Sequence, residues 1–252
     1  MNTDPSRLDA IATHWTLIRA AHTSGKPQEV AAARHALVLR YARAVRRYVG
    51  GIARNTDDAD ELAQEVMVRL MNGDFGGADP NRGRFRDLLR TAVRNMVRKH
   101  WAKANRRKAA DLDPDVLGAA DERADAEWDG AWQQNVLDHA WAALKEYERS
   151  APGTRAHTVL KLRTDFPTDT SEQLAERLSA KVSSPIRPDA CRQMLRRARV
   201  RFATLLIDEI RMGLADPSPD RVTDELAALG LLEHVRDFLP ADWSSSGKLT
   251  EE

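Results

Sequence analysis

Between Asp57 and Lys108 the chain reverses its charge while keeping a single apolar rhythm. The first piece is Asp57-Asp-Ala-Asp-Glu-Leu-Ala-Gln-Glu-Val-Met-Val-Arg-Leu70, with apolar residues at helical spacing on an acidic background. A glycine-rich break follows. The second piece is Gly83-Arg-Phe-Arg-Asp-Leu-Leu-Arg-Thr-Ala-Val-Arg-Asn-Met-Val-Arg-Lys-His-Trp101, with the same spacing on a basic background. Apolar residues at that step define one face of a helix and leave the other face to solvent or a partner. The chain is therefore constrained to two successive amphipathic helices whose free faces carry opposite charge.

The remainder is of the same class. Leu and Ala are abundant and Val and Ile rarely alternate with polar residues, which favours an all-α protein. An apolar content of 42% supports real cores, and 252 residues allow one large domain or two small ones. The net charge of +1 is uninformative, but its distribution is not. From Arg82 to Lys108, 11 Lys/Arg stand against one Asp, net +10; from Asp111 to Gly130, eight Asp/Glu stand against one Arg, net −7. Asymmetry on this scale points to segments with different partners. The single cysteine, Cys191, excludes a disulfide framework and a cysteine-based zinc site, and it fits a reducing compartment. Met1-Asn-Thr-Asp-Pro lacks the pattern of a signal peptide, and no apolar run approaches the ~18 residues of a membrane span.

The organisation follows from periodicity and breakers. Ser6 to about His22 reads as a short helix, with Leu8, Ile11, Trp15 and Ile18 on one face. Gln28 to Tyr48 reads as a long helix ended by Gly50-Gly51, and Asp58 with Glu61 resembles a capping box opening the acidic helix. Gly73 to Gly83 reads as a loop, and the basic helix runs from near Arg84 toward Asn105. Asp111 to Asp129, poor in large apolar residues, reads as a linker, extended or only partly helical. A second domain is expected from Trp132, with helices over Val136–Glu148, Thr154–Leu162, Thr170–Leu178 and Asp189–Met212. A last helical piece spans Arg221–Leu239, and Ser244-Ser-Ser-Gly reads as a frayed tail. The expected divisions are thus 1–27 as an N-terminal extension, 28–108, the linker 109–131, 132–213, and a C-terminal extension 214–252.

On the acidic helix Leu62, Ala63, Val66 and Leu70 face inward, leaving Glu61, Gln64, Glu65, Val68 and Asn72 outside. An anionic face with an apolar spot suits docking to a basic protein. By their position alone Asp57 and Asp58 read as complementing the helix dipole. On the basic helix Phe85, Leu88, Leu89, Ala92, Val93 and Met96 form the core side, opposite Arg90, Arg94, Arg98 and Trp101. Arginines four apart make a cationic stripe that can follow phosphates. Trp101 either stacks on an unpaired base or packs against the protein. On the last long helix Cys191, Met194, Leu195, Ala198, Phe202, Leu205 and Leu206 face the core; Asp189, Gln193 and Arg196 centre the opposite side, flanked by Arg192 and Arg197. Following a well-capped partner, this resembles the second helix of a helix-turn-helix, where Arg and Gln read guanine and adenine edges. Arg199 and Arg201 read as phosphate contacts or solvated charges, and Cys191 as a small buried hydrophobe. No phosphate-cradling loop, metal-ligand pair or nucleophile elbow occurs, so no enzymatic activity is expected.

Three stretches carry a family resemblance. Asp58-Ala-Asp-Glu-Leu-Ala-Gln-Glu-Val-Met-Val-Arg-Leu70 resembles the polymerase-binding helix of sigma-70-type factors, and Phe85-Arg-Asp-Leu-Leu-Arg-Thr-Ala-Val-Arg-Asn95 resembles their promoter-melting and −10-reading helix. Asp189-Ala-Cys-Arg-Gln-Met-Leu-Arg-Arg-Ala-Arg-Val-Arg-Phe202 resembles their −35 recognition helix. With two domains and a short linker, the likeness is to the extracytoplasmic-function sigma factors over about residues 28–212, and the ends resemble extensions of some large subgroups. The turn between Leu178 and Pro188 is longer than usual in that family.

The resemblance implies core polymerase binding by Asp58, Glu61, Gln64, Glu65 and Val68. It implies −10 contacts from Arg84, Arg90, Arg94, Asn95, Arg98, Lys99 and Trp101, and −35 contacts from Arg187, Asp189, Arg192, Gln193, Arg196 and Arg197. The acidic linker would imitate a nucleic-acid strand in the polymerase's basic channel. The implied partners are core RNA polymerase, promoter DNA as duplex and as melted strand, and a regulatory protein of anti-sigma type. No cofactor, metal or membrane insertion is expected, and the compartment is the bacterial cytoplasm. Two other readings stay open: a helix-turn-helix regulator acting without polymerase, and an RNA-binding adaptor using Arg82 to Lys108.

Overall fold

The computed structural model describes residues 26–52, 56–72, 84–108 and 114–238, with residues 17, 20 and 21. Every secondary-structure element among them is helical. The α-helices are α1 Pro27–Ile52, α2 Thr56–Asn72, α3 Phe85–Lys108, α4 Pro114–Ser150 and α5 Ala156–Asp165. They continue as α6 Ser171–Val182, α7 Pro188–Met212, α8 Pro219–Ala228 and α9 Leu232–Val235. Single 3-10 turns lie at Pro152–Thr154 and Arg236–Phe238. No helix among the described residues is long and apolar enough to cross a membrane. The expected face at Leu8, Ile11, Trp15 and Ile18, the loop 73–83 and the tail from Ser244 lie outside the described residues.

The chain divides into two compact units, Met1–Asn135 with Arg211–Arg221, and Val136–Ile210 with Val222–Glu252. The first division falls inside α4, and this alters the expected organisation. The acidic segment is helical from Pro114 onward rather than an extended or partly helical linker. Proline suits a first helical position, where its missing N–H has no intrahelical partner to lose. The stretch that ends the acidic segment belongs with the first unit because Trp128 and Trp132, one helical turn apart, are buried there. Trp132 stacks on Tyr41 at 5.4 Å between ring centroids, and Trp128 meets Tyr48 edge-on at 5.0 Å. Phe85 completes the aromatic core, 4.8 Å from Tyr41 and 6.1 Å from Trp132.

α1 carries on through Gly50 and Gly51, which were expected to stop it. Glycine ends a helix by adopting positive φ, and among the described glycines only Gly230 does so. A glycine that keeps helical angles costs about 1 kcal/mol but does not break the helix. Gly230, at φ 65°, breaks the single helical piece expected over Arg221–Leu239. The Leu231 N–H donates to the Leu226 carbonyl at 2.8 Å and the Gly230 N–H to Ala227 at 2.9 Å, closing α8.

The second unit packs around Leu144, Val159, Leu174, Leu178, Cys191 and Leu195. α6 opens with a reciprocal cap: the Gln173 N–H donates to Thr170 Oγ1 at 3.3 Å, and the Thr170 N–H donates to Gln173 Oε1 at 2.8 Å. Replacing Thr170 with Ala is expected to cost about 1 kcal/mol, measured as the loss in urea unfolding free energy. Thr170→Ser should restore most of it.

Candidate protein and nucleic-acid interfaces

α2 lies against α1 and buries Leu62, Ala63, Val66 and Leu70, the four residues expected inside. Glu61, Gln64, Glu65, Val68 and Asn72 are all exposed, so the periodicity placed this face correctly. Val68 is 49% exposed, and Met71, which sequence reasoning left out, is 40% exposed beside it. The face thus offers two apolar side chains among carboxylates. Glu65 accepts from Arg69 at 2.9 Å within the helix, a pairing that fixes the carboxylate's position at little energetic gain. Asp58 does not cap α2: the helix begins at Thr56, and Asp58 lies inside its first turn, with its side chain outside the described set.

α3 buries Phe85, Leu89, Val93 and Met96, with Leu88 and Ala92 half-buried, as expected. Val97 is buried as well. On the other side Asn95, Arg98 and Lys99 are exposed, while Arg84, Arg90 and Arg94 are half-buried. The arginine stripe is covered in part by acidic residues of α4. Arg94 Nη1 lies 3.3 Å from Asp125 Oδ1, and Arg90 Nη1 lies 3.8 Å from the same oxygen. Arg90 also reaches Asp87 one turn back, at 3.4 Å. Arg86, with its side chain only 8% exposed, donates to Asp129 Oδ1 at 2.9 Å. Trp101 lies on the helix, but its side chain is outside the described set, so its two readings both stand.

Sequence reasoning missed Arg86, Asp125 and Asp129 as members of this surface. A signal was present: Asp125, Trp128, Asp129 and Trp132 follow the three- and four-residue steps of one helix face. The acidic run around these positions masks that spacing.

On α7, Asp189, Arg192, Gln193, Arg196 and Arg197 are exposed together, opposite buried Cys191, Leu195 and Ala198. Asp189 pairs with Arg192 along the helix, and Arg187 is exposed in the preceding turn. Burial pushes the Cys191 thiol above its usual range, which suits a packing residue and not a nucleophile. Arg199 and Arg201 each lie near an aromatic ring. The Arg201 guanidinium lies 4.5 Å from the Tyr147 ring centre and that of Arg199 5.7 Å from Phe238.

The connection before α7 is shorter than the sequence indicated, because α6 extends past Leu178 to Val182 and leaves only Ser183–Arg187 as the turn. Ser183 takes the left-handed conformation, φ 51°, and its N–H donates to the Ser179 carbonyl. The Ile186 N–H donates to Ser179 Oγ at 2.8 Å, tying the end of the turn back to α6. Ile186 in turn packs on the core of the unit, so the approach to α7 is pinned at both ends.

The first unit thus carries an exposed acidic–apolar face on α2 and a partly screened cationic face on α3. Residues 37–107 match the Sigma-70 region 2 family model, which takes in most of α1, all of α2 and nearly all of α3. No curated protein and no solved structure shows significant similarity to the chain. The chain therefore carries a Sigma-70 region 2 domain, which supports a sigma-70 family member. Domains of this kind bind core RNA polymerase and melted promoter DNA.

Proposed function

We propose that the chain is a sigma factor of the extracytoplasmic-function type, which carries core RNA polymerase to particular promoters and aids their melting. The observation that carries this reading is the coincidence, inside one Sigma-70 region 2 match, of an exposed acidic–apolar helix face and a cationic helix face. Glu61, Gln64, Glu65 and Val68 dock the polymerase, together with Met71. Arg84, Arg90, Arg94, Asn95, Arg98, Lys99 and Trp101 hold the melted −10 strand by charge and stacking. Stacking on an aromatic ring contributes about 1–3 kcal/mol per base, comparable with the cost of unstacking it.

In the second unit the turn at Ser183–Arg187 and the exposed polar side of α7 support a helix-turn-helix reader of the −35 element. Arg192, Gln193, Arg196 and Arg197 would face base edges, with Asp189 orienting Arg192. Arg187 would contact the backbone. The chain catalyses no reaction in this reading. An anti-sigma protein would compete for the exposed α2 face.

The test is reconstitution with core RNA polymerase and fragments of genomic DNA, followed by mapping of transcript starts. Starts at a shared promoter sequence, dependent on this protein, are expected. Binding to DNA without polymerase and no specific starts would instead establish a regulator that acts alone.

A further inference from the structure

The acidic residues that cover the arginine stripe have no role in the function proposed above. Asp125 and Asp129 come from α4, on the same helix face as Trp128 and Trp132, which are sunk into the aromatic core. That core fixes the backbone of α4, and with it the reach of both carboxylates. The two differ in kind. Asp129 serves Arg86, whose side chain is 8% exposed, so this pair is structural. Asp125 is 41% exposed and stands between Arg90 and Arg94, themselves 29% and 32% exposed. Half-exposed ion pairs of this kind are weak, screened by salt and readily exchanged for another anion. A carboxylate held between two arginines occupies the position that a backbone phosphate would take.

We infer that Asp125 is a built-in competitor for the nucleic-acid strand: it occupies Arg90 and Arg94 in the free protein and is displaced by phosphate when the strand is bound. This rests on the reading of α3 as the strand-binding helix. The device lowers the affinity of the free chain for nucleic acid without removing any positive charge from the stripe. Displacement requires only a side-chain rotation at Asp125, since α4 stays anchored through its tryptophans.

The test uses the full chain and a labelled single-stranded DNA of mixed sequence, titrated over a range of salt concentrations. D125N and D125A are each expected to bind about three- to tenfold more tightly at low salt, since each of the two released pairs is worth up to a few-fold. Their binding should fall more steeply with salt, by roughly one further counterion, because an arginine no longer screened internally now releases its own. E127Q removes the same charge from an exposed position of α4 and should give a clearly smaller gain. The doubly substituted R90A/R94A chain should bind weakly, and D125N should add nothing to it. If R90A/R94A weakens binding but D125N and D125A bind no better than the parent, or no better than E127Q, Asp125 is not a competitor and the strand-binding reading survives. If R90A/R94A binds like the parent, the strand-binding reading of α3 falls, and the inference with it.

Discussion

Replacing Glu61 and Glu65 together with Lys is expected to abolish binding to core RNA polymerase while leaving the protein folded. Both side chains are exposed on α2, opposite the buried Leu62, Ala63, Val66 and Leu70. Their only described role within the fold is the surface pair of Glu65 with Arg69, worth a few tenths of a kcal/mol. Surface substitutions of this sort change stability by about 0.5 kcal/mol or less. At an interface with a basic partner the effect is of another order, because reversal replaces attraction with like-charge contact at a cost of several kcal/mol. A loss of at least ~100-fold in affinity follows, since about 1.4 kcal/mol is a factor of ten. Fluorescence anisotropy of the labelled protein titrated with core polymerase measures it. Unchanged affinity in a variant that melts like the parent would remove α2 as the docking face. Val68→Asp should act in the same direction through the apolar spot, with Met71→Asp as its neighbour.

The second large effect is on stability. Trp128→Ala is expected to destabilise the first unit by about 3–5 kcal/mol, the usual cost of deleting a large buried aromatic. Trp128 is fully buried, edge-on to Tyr48 and 5.6 Å from Trp132. Its removal leaves a cavity beside Tyr48 and loosens the helix face that brings Asp129 to Arg86. Against a total stability of about 5–15 kcal/mol for an ordinary domain, such a loss is severe. Urea unfolding followed by tryptophan fluorescence and by circular dichroism measures it. A shift below about 1 kcal/mol would show that α4 is dispensable to the first unit, and the placement of its acidic residues on α3 would lose its anchor. Trp128→Phe, which keeps a ring in the site, should recover much of the loss.

What could be read from the residues alone was local. Leu62, Val66 and Leu70 share one side of α2, and Phe85, Leu89 and Val93 share one side of α3, because a helix repeats every 3.6 residues whatever surrounds it. Thr170 and Gln173 lie three apart, so their reciprocal cap is a property of four consecutive residues. The exposed polar side of α7 followed in the same way from Cys191, Leu195 and Ala198. The errors have an equally physical origin. Gly50-Gly51 resembles a stop because glycine permits positive φ, but permission does not compel it, and the helix runs on to Ile52. The turn before α7 looked long because Ser179–Val182 carries weak apolar signal. Those residues are nonetheless helical, and Ser179 is held through the Ile186 N–H.

The two units also divide differently from what composition indicated. A run of eight Asp/Glu resembled a solvated linker, and average hydropathy concealed the two tryptophans at its end. Burial of an aromatic pair outweighs the charge repulsion within a short acidic helix, because each ring removes a large apolar area from water. In the second unit, likewise, only packing sets the Arg199 guanidinium near the Phe238 ring and that of Arg201 near the Tyr147 ring.

The sequence by itself determined the core faces of α2, α3 and α7 and the opposed charge of α2 and α3, since these depend on spacing between near neighbours. It also carried the Sigma-70 region 2 match over residues 37–107. Only the tertiary structure decided which charges meet. Arg86 reaches Asp129 across 43 residues and Arg94 reaches Asp125 across 31. A charge carries no information about its partner until packing brings one within a few ångströms. Here Trp128 and Trp132, set into Tyr41, Tyr48 and Phe85, aim the acidic face of α4 at the arginines of α3.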